Sequence, residues 1–319
     1  MPEIVRDIVH IVVMLLVPLI IAGGLVWGER KLLAVWQDRH GPNRVGPLGL
    51  LQVVADTVKL LFKEDWIPPF ADKPVFVLSP AIIVSSVLVS FTVIPLAPGF
   101  VVQDLNIGLL FFLAMSSLGV YSVALAGWSS RSKYPLLGGL RAAAQMLGYE
   151  VFMGLSVVGV VMMAGTFDLG GIVEAQRGLW YIGPQFVGFA GFLVAGLAET
   201  RRIPFDLPEA ESELVAGYHS EYSAMKFGLF FIGEYLGITL ISALITVLFL
   251  GGWMGPVLPP ALWFLIKTLF FVAFFILVRG SLPRVRYDQL MALGWKVMLP
   301  LGLANLMATA AIILVRKGG

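Results

Sequence analysis

Three ionisable residues stand inside long apolar runs: Glu150, Glu234 and Lys267. A charge at the centre of a membrane helix costs about 3 kcal/mol on insertion scales. Such groups face a partner, face water or hold a proton. Glu150 falls about eight residues into its run, roughly 12 Å deep at helical rise. Glu234 sits at a similar depth between Gly233 and Gly237, which let another helix or water approach closely. The competing reading is a structural ion pair, for instance with Lys267.

The densest chemistry is the segment from Glu199 to Glu213, with acids at Glu199, Asp206, Glu209, Glu211 and Glu213 and a pair of arginines at Arg201 and Arg202. Asp206 and Glu209 have capping-box spacing. Asp206, Glu209 and Glu213 would then share one helix face. Acids in a first helical turn complement the helix dipole, which accounts for two of them. It leaves Glu211, Glu213 and nearby Glu221 unexplained, beside runs that carry Glu150 and Glu234. Carboxylates this close in a low dielectric share protons rather than all ionising. A proton relay or a charge-sensitive switch fits. A metal site competes, because hard cations favour clustered carboxylates. No EF-hand spacing is present, and Arg201 and Arg202 would compete for the acids, so no metal is expected.

Composition narrows the classes. The chain has 319 residues, 58% hydrophobic and 13% charged, with no cysteine. Soluble domains carry roughly a quarter charged residues. Without cysteine there is no disulfide, thiolate zinc site or cysteine-ligated iron–sulfur cluster. His10, His40 and His219 are scattered, and no dinucleotide or Walker motif appears. In redox chemistry, another chain must carry the cofactor. A net charge of +2 does not suggest nucleic-acid capture.

The elements that must hold these residues are membrane helices. A span needs about 20 mostly apolar residues. Eight candidates run near 8–28, 75–97, 107–128, 142–165, 179–198, 223–250, 255–278 and 296–315. The expected fold is an all-α integral membrane bundle forming a single domain over 1–319. The fifth span is the weakest, because Gly183-Pro184 interrupts it. The first reads as a retained span rather than a cleaved signal. Loops after spans one, three, five and seven hold most cations, among them Arg30, Lys31, Arg39, Arg131, Arg202 and Arg284. The termini and other loops hold only Arg6, Arg177, Arg316 and Lys317. The positive-inside rule puts the charged loops in the cytoplasm and both termini outside. For a bacterial chain that means the inner membrane, with periplasmic termini.

The first cytoplasmic loop contains an amphipathic stretch. Gln52, Asp56, Lys59 and Lys63 recur on one side, with Leu50, Leu51, Val54, Val58, Leu61 and Phe62 on the other. This predicts a surface helix, lying at the membrane or packed on the bundle. The segment from Gly41 to Pro47 ahead of it is turn-rich. Trp27-Gly28-Glu29-Arg30-Lys31 puts charges at the membrane edge. Arg279, Arg284 and Arg286 stand at the same surface, and a topogenic role alone would account for them. No internal repeat supports an inverted-repeat transporter.

Four segments together resemble a known family. They are Glu29-Arg30-Lys31 with Gly41 to Gly46 and Ala55-Asp56; Ser132-Lys133-Tyr134 through Arg141 to Tyr149-Glu150; Glu199 to Tyr222 with Glu234-Tyr235; and Pro283 to Met291. In order and spacing the chain is similar to the H-subunit family of proton-pumping NADH:quinone oxidoreductase, respiratory complex I. The resemblance covers almost the whole chain. It implies a component without a redox centre of its own in a proton-translocating enzyme, joining the membrane arm to the peripheral arm and forming much of the quinone chamber. The implied partners are peripheral iron–sulfur subunits, small membrane subunits and lipid. The implied substrate is quinone, whose headgroup ligands belong to neighbouring subunits.

The resemblance places Glu29, Arg30, Arg39 and Asp56 near the quinone tunnel. It places Asp206, Glu209, Glu211 and Glu213 in the loop between tunnel and membrane interior. Glu150, Glu199, Glu221 and Glu234 would continue as an acidic path toward antiporter-like subunits. Departures from the family pattern are Arg201 for the usual Asn, Gly148 for Ser and Val53 for Pro. Arg201 adds a cation beside the acids. The nearest alternative is the homologous component of a membrane-bound hydrogenase or a ferredoxin- or F420-linked dehydrogenase. The alternative from another class is a stand-alone secondary transporter, which leaves no role for iron–sulfur partners.

Overall fold

The computed structural model describes residues 3–208 and 215–318. The described chain is helical, its only β feature a single bridge between Ala97 and Phe100. The long helices are α1 (Glu3–Trp36), α3 (Lys73–Phe91), α4 (Gly108–Ser129), α5 (Lys133–Ala164), α8 (Ala224–Phe249) and α9 (Pro260–Ser281). The shorter ones are α2 (Gln52–Phe62), α6 (Leu169–Ala175) and α7 (Phe186–Glu199). At the end, α10 (Tyr287–Ala292) runs through a π turn (Leu293–Met298) into α11 (Leu299–Gly318). Counting that last run as one, 7 helices among the described residues are long and apolar enough to cross a membrane. The chain is a multi-pass membrane protein.

The fifth candidate span differs from the expectation. Only α7 is helical there, and its 14 residues rise about 21 Å, short of a hydrocarbon core of about 30 Å. Pro184 lacks a backbone donor, and the residue before a proline disfavours helix. Gln176 serves the backbone of the non-helical segment, and Gln185 ties its end to the terminal helix. Gln176 donates to Val247 O at 2.8 Å and accepts from the Gly251 and Tyr181 amides. Gln185 donates to the Thr309 hydroxyl at 2.7 Å and accepts from Asn305 at 2.8 Å.

Helix α8 is the hub. It packs on α1, α2, α3, α6, α7 and α9, and 83% of its most apolar stretch is buried. The terminal helix is the opposite, with 6% of its stretch buried. Most of its apolar surface is left for lipid or partner subunits.

Lys267 is not the ion-pair partner of Glu150 or Glu234; the cation that Glu234 meets is Arg202. The Lys267 ammonium donates to the carbonyls of Leu250, Gly252 and Met254, at 2.7, 3.1 and 2.7 Å. It also lies 4.4 Å from the Trp180 ring centroid. It therefore caps the C-terminal end of α8, where unpaired carbonyls and the helix dipole favour a cation. Lys267→Met should leave these acceptors unpaired, at a cost of about 1–3 kcal/mol for each one that water cannot reach. A lower thermal midpoint of the purified assembly, partly restored by Lys267→Arg, is the expected result.

The loop between α1 and α2 is held by its turns. Gly49 has φ +76°, and a Cβ there would overlap the Pro42 carbonyl. Lys31 donates to the same carbonyl oxygen at 3.2 Å, so it braces this loop rather than only anchoring at the interface.

Candidate functional site

The N-terminal half of α8 gathers a chain of alternating charges. Arg202, in the loop after α7, places Nε 2.5 Å from Glu234 Oε1 and Nη1 3.7 Å from Glu29 Oε1. Arg279 at the end of α9 pairs with the same Glu29 oxygen. The Arg202 guanidinium also stacks 4.6 Å from the Tyr235 ring centroid. Glu29, Arg202 and Glu234 are 5%, 5% and 6% exposed. Two acids and two guanidiniums thus tie α1, the α7–α8 loop, α8 and α9 together.

The backbone of that loop is held from outside. Gln145 on α5 donates to Ala198 O at 2.8 Å and Phe205 O at 2.9 Å. The Val285 amide donates to Pro204 O at 3.2 Å. Arg201 turns the chain with φ +52° and lies 5.1 Å from the Tyr218 ring centroid. Asp206 accepts from Arg284 at 2.9 Å. Arg201, Arg202, Asp206 and Arg284 line a cavity of about 360 Å³, together with Phe231 and Glu234. Glu209, Glu211 and Glu213 lie outside the described residues.

A second cavity, of about 460 Å³, opens between α1, α2 and α8. Its walls are mainly apolar, including Leu19, Val26, Leu60 and Ile232. Arg30 and Asp56 line it as an ion pair at 2.7 Å, with Gln52 donating to the other Asp56 oxygen at 2.9 Å. Phe227 and Phe231 line both cavities. The inward face of α2 carries Val53, Asp56 and Leu60, while Val54, Val58, Leu61 and Phe62 are exposed. The expected amphipathic helix is present and contacts α1 and α8.

Glu150 and Glu199 form a third group, on α5 and at the end of α7. Two successive serines of α4 hold them. Ser116 donates to Glu199 Oε1 at 3.1 Å, and Ser117 donates to Glu150 Oε2 at 3.2 Å. The remaining oxygens, Glu150 Oε1 and Glu199 Oε2, are buried and accept nothing from the described residues. A small cavity of about 50 Å³ joins this group to Glu234, with Ser86, Ser90, Ser116 and Glu199 in its wall.

The structure gathers some expected residues and leaves others apart. Arg30 and Asp56 reach the apolar cavity. Glu29 does not line it and belongs to the buried charge network instead. Arg39 is exposed, hydrogen-bonded to Gln37 at 2.8 Å, and is not among the residues lining that cavity. Glu221 is half-buried in the turn before α8 and makes no ion pair among the described residues. The arginines at the end of α9 and just after it each hold an acid. Arg279 holds Glu29, Arg284 holds Asp206 and Arg286 pairs with Asp288 at 3.1 Å. The sequence pattern does not single out Ser116 and Ser117. Their one signal is an adjacent pair of hydroxyls within an apolar run.

The NADH dehydrogenase family model matches residues 8–310. A protein of Methylococcus capsulatus (strain ATCC 33009 / NCIMB 11132 / Bath), described as the H subunit of NADH-quinone oxidoreductase, is 64% identical over 299 residues. The match covers 93% of this chain and 95% of that protein.

Proposed function

We propose that this chain, which belongs to the NADH dehydrogenase family as a membrane component of NADH-quinone oxidoreductase, forms the quinone-access chamber and converts quinone reduction into a charge signal in the membrane. Other subunits of the complex are its partners. The walls shared by the two large cavities carry this reading. Phe227 and Phe231 separate a mainly apolar space, suited to an isoprenoid tail, from an ionic space containing Asp206, Arg202 and Glu234. An apolar cavity with few convergent polar groups is the usual form of a small-molecule site.

Quinone would enter between α1, α2 and α8, with Arg30 and Asp56 at the edge of its path. Its reduction consumes protons, and the acids beyond the phenylalanine wall would respond. Glu234 is tied to Glu29 through Arg202, so a charge change in the ionic cavity shifts this whole network. Glu199 and Glu150 then lie across the small serine-lined cavity, leading into the bundle. Asp206 and Glu221, with Glu209, Glu211 and Glu213, make up the loop side of the relay. Peripheral iron–sulfur subunits would deliver the electrons, and the charged loops would face them from the cytoplasm of a bacterial cell, with the termini periplasmic.

Glu234→Gln and Glu211→Gln membranes should keep the assembled complex but lose quinone reduction and proton pumping together. Unchanged rates of both in both variants, per assembled complex, would overturn the proposal. Co-purification with iron–sulfur proteins on native gels separates it from a stand-alone transporter, which needs no partner.

A further inference from the structure

Helix α2 walls the mainly apolar cavity with Val53, Asp56 and Leu60, yet none of its residues is fully buried. A helix in a protein owes most of its stability to a packed apolar face. Here that grip is slight, so the place of α2 depends on polar ties near its two ends. Toward the N-terminal end, Asp56 takes the Arg30 ion pair at 2.7 Å, and the Trp27 indole of α1 donates to Leu48 O at 3.1 Å. Beyond the C-terminal end, the chain is pinned at three consecutive residues. The Ser223 hydroxyl, just ahead of α8, donates to Glu64 O at 3.3 Å and accepts from the Trp66 amide at 3.3 Å. Between them, Lys226 Nζ on α8 donates to Asp65 Oδ2 at 2.5 Å.

We propose that Lys226 is a positioning residue for quinone binding: paired with Asp65, it holds the C-terminal half of α2 in place as the wall against the isoprenoid tail. Lys226 is 7% exposed. A charge that deep needs a partner, which Asp65 supplies. Asp65 itself is half exposed, so the pair joins a fixed point on α8 to a segment that little else secures. The chain neighbours of Lys226 face the cavity. Met225, Phe227 and Gly228 all line it. The latch and the wall opposite α2 thus belong to one turn of α8.

The two ties act on different parts of the cavity. Arg30–Asp56 holds the N-terminal half of α2 and stays intact when the latch opens. Leu60 lies one helical turn nearer the latch than Asp56, and it packs toward Gly228 of α8. Loss of the latch therefore frees Leu60 first, and with it the apolar surface offered to the tail. The ionic cavity around Arg202, Asp206 and Glu234 is not walled by α2. The cost falls on tail binding rather than on the chemistry of the headgroup.

This inference rests on the entry path proposed above, and the test separates the two. The whole complex is assayed in membranes with a long-tailed isoprenoid quinone and with a short-tailed analogue, and KM and kcat are measured per assembled complex. Asp65→Ala and Lys226→Met should each raise KM for the long-tailed quinone about fivefold, a lost ion pair converted to a binding ratio, while kcat and the short-tailed KM stay within about twofold. Lys226→Arg, which keeps the cation, should restore the native KM. The double variant should be no worse than the harsher single change, because both remove one interaction. Asp65→Ala alters a half-exposed side chain, so it decides the matter if Lys226→Met does not assemble. A native long-tailed KM in Asp65→Ala, or an equal rise for both quinones, overturns the proposal. If Gly23→Phe, which fills the same cavity, slows the long-tailed quinone while Asp65→Ala is native, only the latch fails. If Gly23→Phe is native as well, the entry path fails with it.

Discussion

Replacing Arg202 with methionine should remove most of the assembled enzyme. The guanidinium lies between Glu29 and Glu234, and all three groups are almost fully buried. Deleting one member of a buried pair leaves uncompensated charge, at a cost of about 3–5 kcal/mol. Arg279 still covers Glu29, so the charge left uncompensated is that of Glu234. Lysine is not an adequate substitute. Its ammonium is a point charge, whereas the arginine fork reaches two carboxylates while its plane rests on Tyr235. The checks are the amount of complex on native gels and the quinone reductase rate of the remainder. Glu234→Gln combined with Arg202→Met should cost less than the sum of the single changes, because the partners share one interaction. Full additivity would show that the network does not act as a unit.

Filling the apolar cavity should act on quinone and spare the rest of the catalytic cycle. Gly23 on α1 lines that space, and a Cβ there would meet only Val53 Cγ1, at 4.0 Å. A side chain can therefore start without a clash and extend into the cavity. Gly23→Phe should lower kcat/KM for quinone at least tenfold, equivalent to about 1.4 kcal/mol. NADH oxidation by a soluble artificial acceptor should stay at the native rate, since that reaction bypasses the chamber. Gly23→Ala should be close to silent. If the phenylalanine variant reduces quinone normally, quinone does not pass between α1, α2 and α8.

Much of this organisation is legible before folding. Membrane helices satisfy their own backbone and need about 20 apolar residues, so run length alone marks α1, α3, α4, α5, α8, α9 and the terminal helix. The amphipathic period of α2 is equally local. Glu150 and Glu234 stand out because a charge in an apolar run is costly wherever the run packs. Gly183-Pro184 signals that the run before α7 is broken, although not that Gln176 accepts from its Tyr181 amide or that Gln185 reaches the terminal helix.

Pairing is not legible. Lys267 and Glu234 look like partners in the sequence, since each is a buried charge in search of its opposite. In the fold, Lys267 reaches the carbonyl end of α8, and Glu234 receives Arg202 in the N-terminal half of the same helix. Sign and depth along the chain say nothing about which helix face meets which neighbour. The same gap hides Arg279 on Glu29, Arg284 on Asp206 and the turn of the Ser116 hydroxyl toward Glu199.

The sequence by itself determined a cysteine-free membrane bundle, its spans and the acids it must accommodate, because each follows from the cost of placing a residue type in lipid. Only the tertiary structure decided which cations neutralise those acids, where two cavities share the Phe227 and Phe231 wall, and which serines hold Glu150 and Glu199. Those depend on contacts between helices distant in the chain, and a buried charge or hydroxyl takes its energy from whatever the packing brings within hydrogen-bond reach.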